Sequence, residues 1–495
     1  MFSHVPALRV TTVNDHPLRA DGTHVLYWMI AARRTRHSFA LQHAMNRAAA
    51  LGRPLIVLEA LRLGYGWASP RFHRFVIDGM RDQAARFADT PIAYHAYVEP
   101  SEGHGKGLLA ALAKDAAVVV TDEFPCFFLP RMVAAAAERL PTRLEMIDGN
   151  GLLPLRAAEK TYTAASHFRR FLQRDLPRHI EAVPVDDPLA RAHELPVATI
   201  PPEVLSRWPA VPEAVLEGKD HAFLTRLPLD HAVPPVAWSG GEVAARHTLD
   251  TFLRQKLVHY PEARNEPEQD VGSGLSPYLH FGHISPHEIV QRLFRRDGWT
   301  LERLAMRPTG SREGWWGLAP ESEAFIDELV TWRELGYNYC FFRPDDYDRW
   351  ESLPEWARKT LERHAADRRG TTYDRAALEA GRTHDRLWNA AQRQLVIDGR
   401  IHNYLRMLWA KKVLEWSPTP REAMHTLIEL NNRWAVDGRD PNSYSGIFWC
   451  FGRYDRPWPP ERPIFGTVRY MSSDNTAKKL RVKGYIERWT PSSML

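Results

Sequence analysis

Residues 406–416 read RMLWAKKVLEW, with two tryptophans seven positions apart. The flanking apolar residues predict a helix, and seven residues make about two turns, so Trp409 and Trp416 share a face with roughly 10 Å of rise between them. Indoles so placed serve either as core or as stepping stones for an electron. A second stretch, VGSGLSPYLHFGHIS at 271–285, sets glycines and serines before a proline that opens a helix. Backbone N–H groups and hydroxyls can converge there on an anion, although a plain loop-to-helix junction gives the same pattern. In a third, DGRDPNSYSGIFW at 437–449, a helix ending in Asn431-Asn432-Arg433 runs into Asp437, a polar turn and an aromatic-rich helix bearing Trp449. Polar groups among Trp and Tyr at helix ends suit a planar heteroaromatic ligand, which needs stacking and a few edge-directed hydrogen bonds. His280 and His283 have no carboxylate or cysteine to complete a ligand set, so no metal site is expected.

The elements that must position these residues fall into two kinds. Short apolar runs at 24–30, 54–61, 91–98, 116–123 and 142–148 alternate with helical periodicity at 36–51, 71–88, 106–114 and 129–140. Continuous rather than alternating apolar strands predict a parallel sheet covered on both faces, hence an α/β, doubly wound, Rossmann-like domain over 1–150. No glycine fingerprint follows the first run, and GHGKG at 103–107 lacks the spacing of a P-loop. Residues 151–240 are proline-rich and irregular and predict a surface linker carrying one helix near 165–176. From 241 to 495 the chain predicts an all-helical domain, in which Thr419-Pro420-Arg421-Glu422 is a capping box and Gly438 is expected to close the helix that follows.

Composition narrows the class. The chain has 495 residues, 44% of them apolar and 25% charged, with a net charge of +5, which permits a polyanion partner without requiring one. Three cysteines with no CxxC argue against a disulfide framework or a cysteine zinc site. No apolar run is long enough to span a membrane, and MFSHVPALRV lacks a signal-peptide pattern, so a cytoplasmic location is expected. Seventeen tryptophans raise the odds of a flavin-binding or base-stacking protein.

SGLSPYLHFG, DELVTWREL, THDRLWNAAQ, RMLWAKKVLEW and LNNRWAVDGRDPNSYSGIFW, in this order, resemble the class II cyclobutane pyrimidine dimer photolyases of the photolyase/cryptochrome superfamily. The likeness runs from YWMIAARR to the C-terminal RYMS and KGYIERW. It implies an N-terminal α/β domain, a long connection and a helical domain holding a U-shaped FAD, working as a light-driven lyase on dimers in UV-damaged DNA, as a monomer. By resemblance Gly272, Ser273, Gly274, Leu275 and Ser276 hold the FAD phosphates, with Tyr260 and Arg264 assisting. Asn431 faces the flavin N5, and Arg406 with Asp437 forms an ion pair beside the ring, where a buried guanidinium favours negative charge.

Glu328, Trp332, Met407 and Trp449 match the lesion pocket, where a flipped dimer needs apolar or aromatic walls and a hydrogen-bonding carboxyl. Glu328 and Trp332, four apart, are expected on one helix face. Trp409 and Trp388 match a chain carrying electrons inward to the flavin, and Trp416 is either a further member or core. Arg456 and Arg469 match basic residues at the gap left by the flipped lesion, and are equally readable as surface arginines. Ser38 stands where the family usually has Asn, which leaves a possible antenna chromophore in the N-terminal domain open. Cys450-Phe451 replaces smaller or polar residues at the expected pocket rim. The rival readings are a cryptochrome-like photoreceptor, which would not need the dimer pocket, and a light-independent nucleic-acid-binding module, which would not need the flavin residues.

Overall fold

Six strands form one sheet: β1 (Val10–Thr12), β2 (His24–Trp28), β3 (Leu55–Leu61), β4 (Ala93–Val98), β5 (Ala116–Asp122) and β6 (Leu144–Ile147), in the order β1-β6-β5-β2-β3-β4. The computed structural model describes residues 3–220 and 222–491. All neighbouring pairs are parallel except β1–β6, so the chain runs outward from β2 in both directions. Residues of β2 alternate between two apolar layers: Val25 and Tyr27 pack with Phe39, Leu41 and Met45, whereas Leu26 and Trp28 pack with Leu108, Leu112 and Val133. Burial on both faces is why the strands read as unbroken apolar runs. The expected doubly wound sheet followed by helices is the observed architecture. The antiparallel edge strand β1 was not foreseen, because three residues, VTT, carry too little periodicity.

Two compact units divide the chain. The first comprises Met1–Glu159, Asp175–Asp250 and Leu275–Leu301; the second comprises Lys160–Arg174, Thr251–Gly274 and Glu302–Leu495. Most of the proline-rich connection therefore belongs with the sheet unit, where it forms short helical turns such as Pro188–Glu194 and Pro202–Arg207.

In the sheet unit the turn after β2 is organised by Asp122, at the carboxyl end of β5. One carboxylate oxygen accepts from the backbone N–H of Ile30, Ala31 and Ala32 at 2.8, 2.8 and 3.0 Å, and the other from the Tyr27 hydroxyl at 2.8 Å. Gly282 packs against this turn with φ +74°, and a Cβ there would lie 1.8 Å from the Ala31 carbonyl oxygen. Arg34 donates to the Gly282 carbonyl at 3.0 Å, and the buried His283 accepts from the Gly241 N–H at 2.9 Å. Ser38 is the N-cap of the helix Phe39–Leu51, accepting from the Leu41 N–H.

In the second unit the helix Asn403–Trp416 is packed by Arg386–Asp398, Pro420–Trp434 and Pro441–Cys450. Thr419 caps Pro420–Trp434 as the sequence indicated: its hydroxyl accepts from the Glu422 N–H at 3.2 Å and donates to the Glu422 carboxylate at 3.0 Å. The far end differs from expectation. The helix stops at Trp434 with Ala435 extended, and Gly438 lies in the following turn without a positive φ. Glycine is required there by close approach instead, since a Cβ would lie 2.8 Å from the Asn431 carbonyl oxygen. The Arg439 guanidinium donates to the carbonyls of Asn432 and Val436, completing the turn.

Candidate functional site

The helix Asn403–Trp416 has buried residues all round, from Leu405 and Trp409 to Val413 and Trp416. A helix enclosed in this way is a scaffold rather than a surface element. Its first turns carry Arg406 and Met407, both half-buried. Arg406 pairs with Asp437 at 3.3 Å, as the resemblance implies, but its guanidinium is partly open rather than buried. Asn431, 2% exposed, donates through its amide to the Asn432 side-chain oxygen at 3.3 Å. Asn432 also accepts from the Arg439 N–H at 2.9 Å and donates to the Tyr444 hydroxyl at 3.2 Å, so the orientation of the Asn431 amide is fixed from behind.

The tryptophans form a contiguous series. Trp409 donates through its indole N–H to Gln392 at 2.8 Å, and Trp388 donates to the Trp409 carbonyl at 3.0 Å. Trp416 lies edge-on to Trp388 with ring centroids 5.4 Å apart, and beyond it Tyr373 and His384 lie 5.4 and 5.3 Å from its ring. The seven-residue spacing noted in the sequence is thus bridged by an indole from another helix.

Glu328 and Trp332 occupy a π-helical segment, Asp327–Trp332, between the α-helices Pro320–Ile326 and Arg333–Phe342. The expectation of an ordinary α-helix is corrected here. With i→i+5 hydrogen bonds four residues are just short of one turn, so the shared face survives, and π segments of this kind concentrate at functional sites. Arg264 donates to Glu328 at 2.8 Å and lies 5.7 Å from the centroid of the Tyr260 ring. Burial raises the Glu328 carboxyl above its ordinary range despite that guanidinium, and burial followed by the Glu328 charge raises the Tyr260 phenol. The sequence had separated these residues, assigning Tyr260 and Arg264 to phosphate and Glu328 to substrate.

Trp449, near the end of the helix Pro441–Cys450, is half-buried, and the Arg469 guanidinium lies 5.5 Å from its ring and 4.1 Å from that of Trp458. Asp455 holds Arg469 at 3.0 Å and accepts from the Trp458 indole at 3.0 Å, while Arg456 lies 5.1 Å from the Trp458 ring. Arg469 is therefore a built-in part of an aromatic stack rather than a free surface arginine. Cys450 and Phe451 are 4% and 0% exposed, so neither forms the rim expected of them; Phe451 packs edge-on to Trp350. Gly272, Ser273 and Gly274 belong to the second unit, and Leu275 and Ser276 to the first. Gly274 has φ +68°, and Ser276 opens a helix of only five residues, Ser276–His280. Gln392, Trp458 and Lys411 were not foreseen. The legible signal for Lys411 was its place four residues after Met407, on the same helix face.

Glu328, Trp332, Met407 and Trp449 are thus half-open side chains on elements that are otherwise mostly buried, which is how a ligand-binding wall differs from core. Solved structures share the fold: a class III photolyase from Agrobacterium tumefaciens and a cryptochrome from Synechocystis sp. PCC6803, each with a TM-score of 0.65 over 94% of this chain. They are 18% and 16% identical and are covered over 86% and 88% of their own lengths. The two-unit architecture is therefore that of the photolyase/cryptochrome proteins. No family model matches the chain. Full-length relatives do: the deoxyribodipyrimidine photo-lyase of Methanothermobacter thermautotrophicus is 35% identical over 98% of both chains. That of Oryza sativa is 34% identical over 94% of this chain and 87% of its own, and that of Potorous tridactylus 31% over 97% and 83%. The chain belongs to the deoxyribodipyrimidine photo-lyase family.

Proposed function

We infer that this protein is a light-driven DNA repair lyase that cleaves cyclobutane pyrimidine dimers, of the class II type, with FAD as its cofactor. End-to-end likeness to photo-lyases carries the reading, and the half-open set Glu328, Trp332, Met407 and Trp449 supports repair over a photoreceptor role. FAD and DNA functions are assigned to residues 241–495.

The donor set fits a flavin. Asn431 and the Arg406–Asp437 pair lie on or just after two helices packed together, and Trp409 sits one turn beyond Arg406. Asn431 would accept from the flavin N5–H through its side-chain oxygen, with one of its amide N–H groups held by Asn432. Arg406, partly neutralised by Asp437, would favour negative charge on the ring. Gly272, Ser273 and Gly274, with Tyr260 and Arg264 of the same unit, are proposed to hold the phosphates. When bound and reduced, FAD supplies one electron to the dimer under blue or near-ultraviolet light and takes it back.

The residues do the rest. Trp332 and Trp449 provide flat walls to replace lost base stacking, and Met407 fills between them. Glu328, one oxygen of which accepts from Arg264, is the carboxyl proposed to hydrogen-bond the polar edge of the dimer. Trp409, Trp388 and Trp416 pass electrons inward when the cofactor needs reduction, and Arg456 and Arg469 enter or flank the gap in the duplex. The reading is tested by illuminating purified, reduced protein with a dimer-containing duplex. Restored thymines, dependent on light, are expected; none restored would overturn it.

A further inference from the structure

Lys411 is a lysine in the middle of a packed helix, 1% exposed. Its ammonium donates to the Cys450 carbonyl at 2.5 Å and lies 5.8 Å from the centroid of the Trp449 ring. Among the described residues no carboxylate forms an ion pair with it. The charged and titratable groups that face it are the Cys450 thiol, on the helix Pro441–Cys450, and Asp455 and Arg469, on the segment that follows. Asp455 is already engaged by Arg469 at 3.0 and 3.3 Å. Elsewhere on the same helix Lys412 pairs with Glu415 at 2.9 Å and Arg406 with Asp437 at 3.3 Å. Two cations therefore share one carboxylate beside Trp449, and the surplus positive charge is buried. A buried charge left without its counter-ion is costly, so its retention calls for an anion that is present only at times.

We propose that Lys411 supplies the positive charge that stabilises the cyclobutane dimer while it holds the extra electron, acting through the field from beside the Trp449 wall. The proposal rests on the lesion-pocket reading of Trp449 and Met407, and Lys411 follows Met407 by one helical turn. The electron count closes without a proton. The dimer gains one electron, the two carbon–carbon bonds joining the pyrimidines break, and one electron returns to the donor. Lys411 keeps its proton throughout. A neutral dimer gains little from a nearby ammonium and an anionic one gains much, so the charge favours the reacting state over the bound state. Burial lowers the lysine to about 8, with Asp455 resisting and Arg469 adding to the shift. The ammonium is thus charged at neutral pH and is lost above that value.

The experiment uses the full-length, FAD-loaded, reduced protein and a dimer-containing duplex. Lys411→Met is expected to bind the damaged duplex within about twofold of the unaltered protein, yet to repair several-fold fewer dimers per absorbed photon at saturating duplex. The unaltered protein should lose repair yield between about pH 7 and about pH 10, and Lys411→Met should show no such fall. Equal yield in Lys411→Met overturns the proposal, as does a flat profile in the unaltered protein. Parallel loss of affinity and yield also overturns it, by making Lys411 a prop for Trp449. If Lys411→Met does not fold, the unaltered protein's profile decides alone. Trp449→Ala separates the two readings: unchanged damaged-duplex affinity in that variant would sink the pocket assignment itself.

Discussion

Asp122 in the sheet unit and Lys411 in the helical unit are both buried charges, at 2% and 1% exposure. Asp122 accepts three backbone N–H groups and a phenol, whereas Lys411 makes one hydrogen bond to a carbonyl. In the first region the polar group is finished by its own fold and holds a turn in place. In the second, charge and aromatic surface are left partly unfinished, on a scaffold rigid enough to keep them so. Saturation of a buried polar group marks structure, and its deliberate absence marks a place where something else arrives.

The largest effect expected is on electron entry. Trp409→Phe keeps most of the ring volume but is far harder to oxidise, so photoreduction of oxidised FAD should fall by orders of magnitude while chemically reduced protein still repairs; transient absorption separates the two. Trp416→Phe, beyond Trp388 at the far end of the series, should slow photoreduction less. Asp122→Leu should then cost about 3–5 kcal/mol in chemical unfolding, because three N–H groups lose their acceptor. A loss below about 1 kcal/mol would break the contrast between finished and unfinished regions.

Smaller effects sharpen it. Trp332→Ala and Trp449→Ala should each cost about 1–3 kcal/mol of damaged-duplex affinity, or about one to two decades in Kd by titration, with the FAD spectrum unchanged. In the sheet unit, burial pushes Glu145 up, but hydrogen bonds from His43, Arg47 and Arg143 together hold it down at about 2. A depressed carboxyl stabilises the fold above its unfolded value of about 4.3, and that stability is lost as pH falls toward about 2. Glu145→Gln should therefore flatten the acid limb of a melting-temperature profile. Thr419→Ala, which removes an exposed cap, should cost only about 1 kcal/mol on thermal unfolding.

The sheet was legible because strands buried on two faces spell themselves as apolar runs, as AAVVVTD does. The short β1 and the turns of the connection were not, since three-residue elements have no period to read. In the site, the Arg406–Asp437 pair and the residues of the tryptophan series could be named from motifs, because each lies in a locally distinctive stretch. The Arg264–Glu328 contact spans 64 positions, and the Trp388–Trp416 contact joins two helices, so neither leaves a local trace. Gly438 misled for a different reason: glycine after a helix suggests a left-handed cap, and here it answers to a carbonyl pressing close.

The π-helical segment Asp327–Trp332 has a consequence of phase. A π turn holds one residue more than the α turn it replaces, so the chain beyond it is rotated by about 100° relative to an unbroken α-helix. The helix Arg333–Phe342 buries Arg333 through Cys340 without interruption, and that whole set is aimed by the extra residue. Deleting one position between 327 and 332 would swing Tyr337 and Tyr339 out of register and draw Trp332 off the face it shares with Glu328. The aim of this wall is a property of chain length, written in no single side chain, and a scan by deletion would find what a scan by substitution passes over.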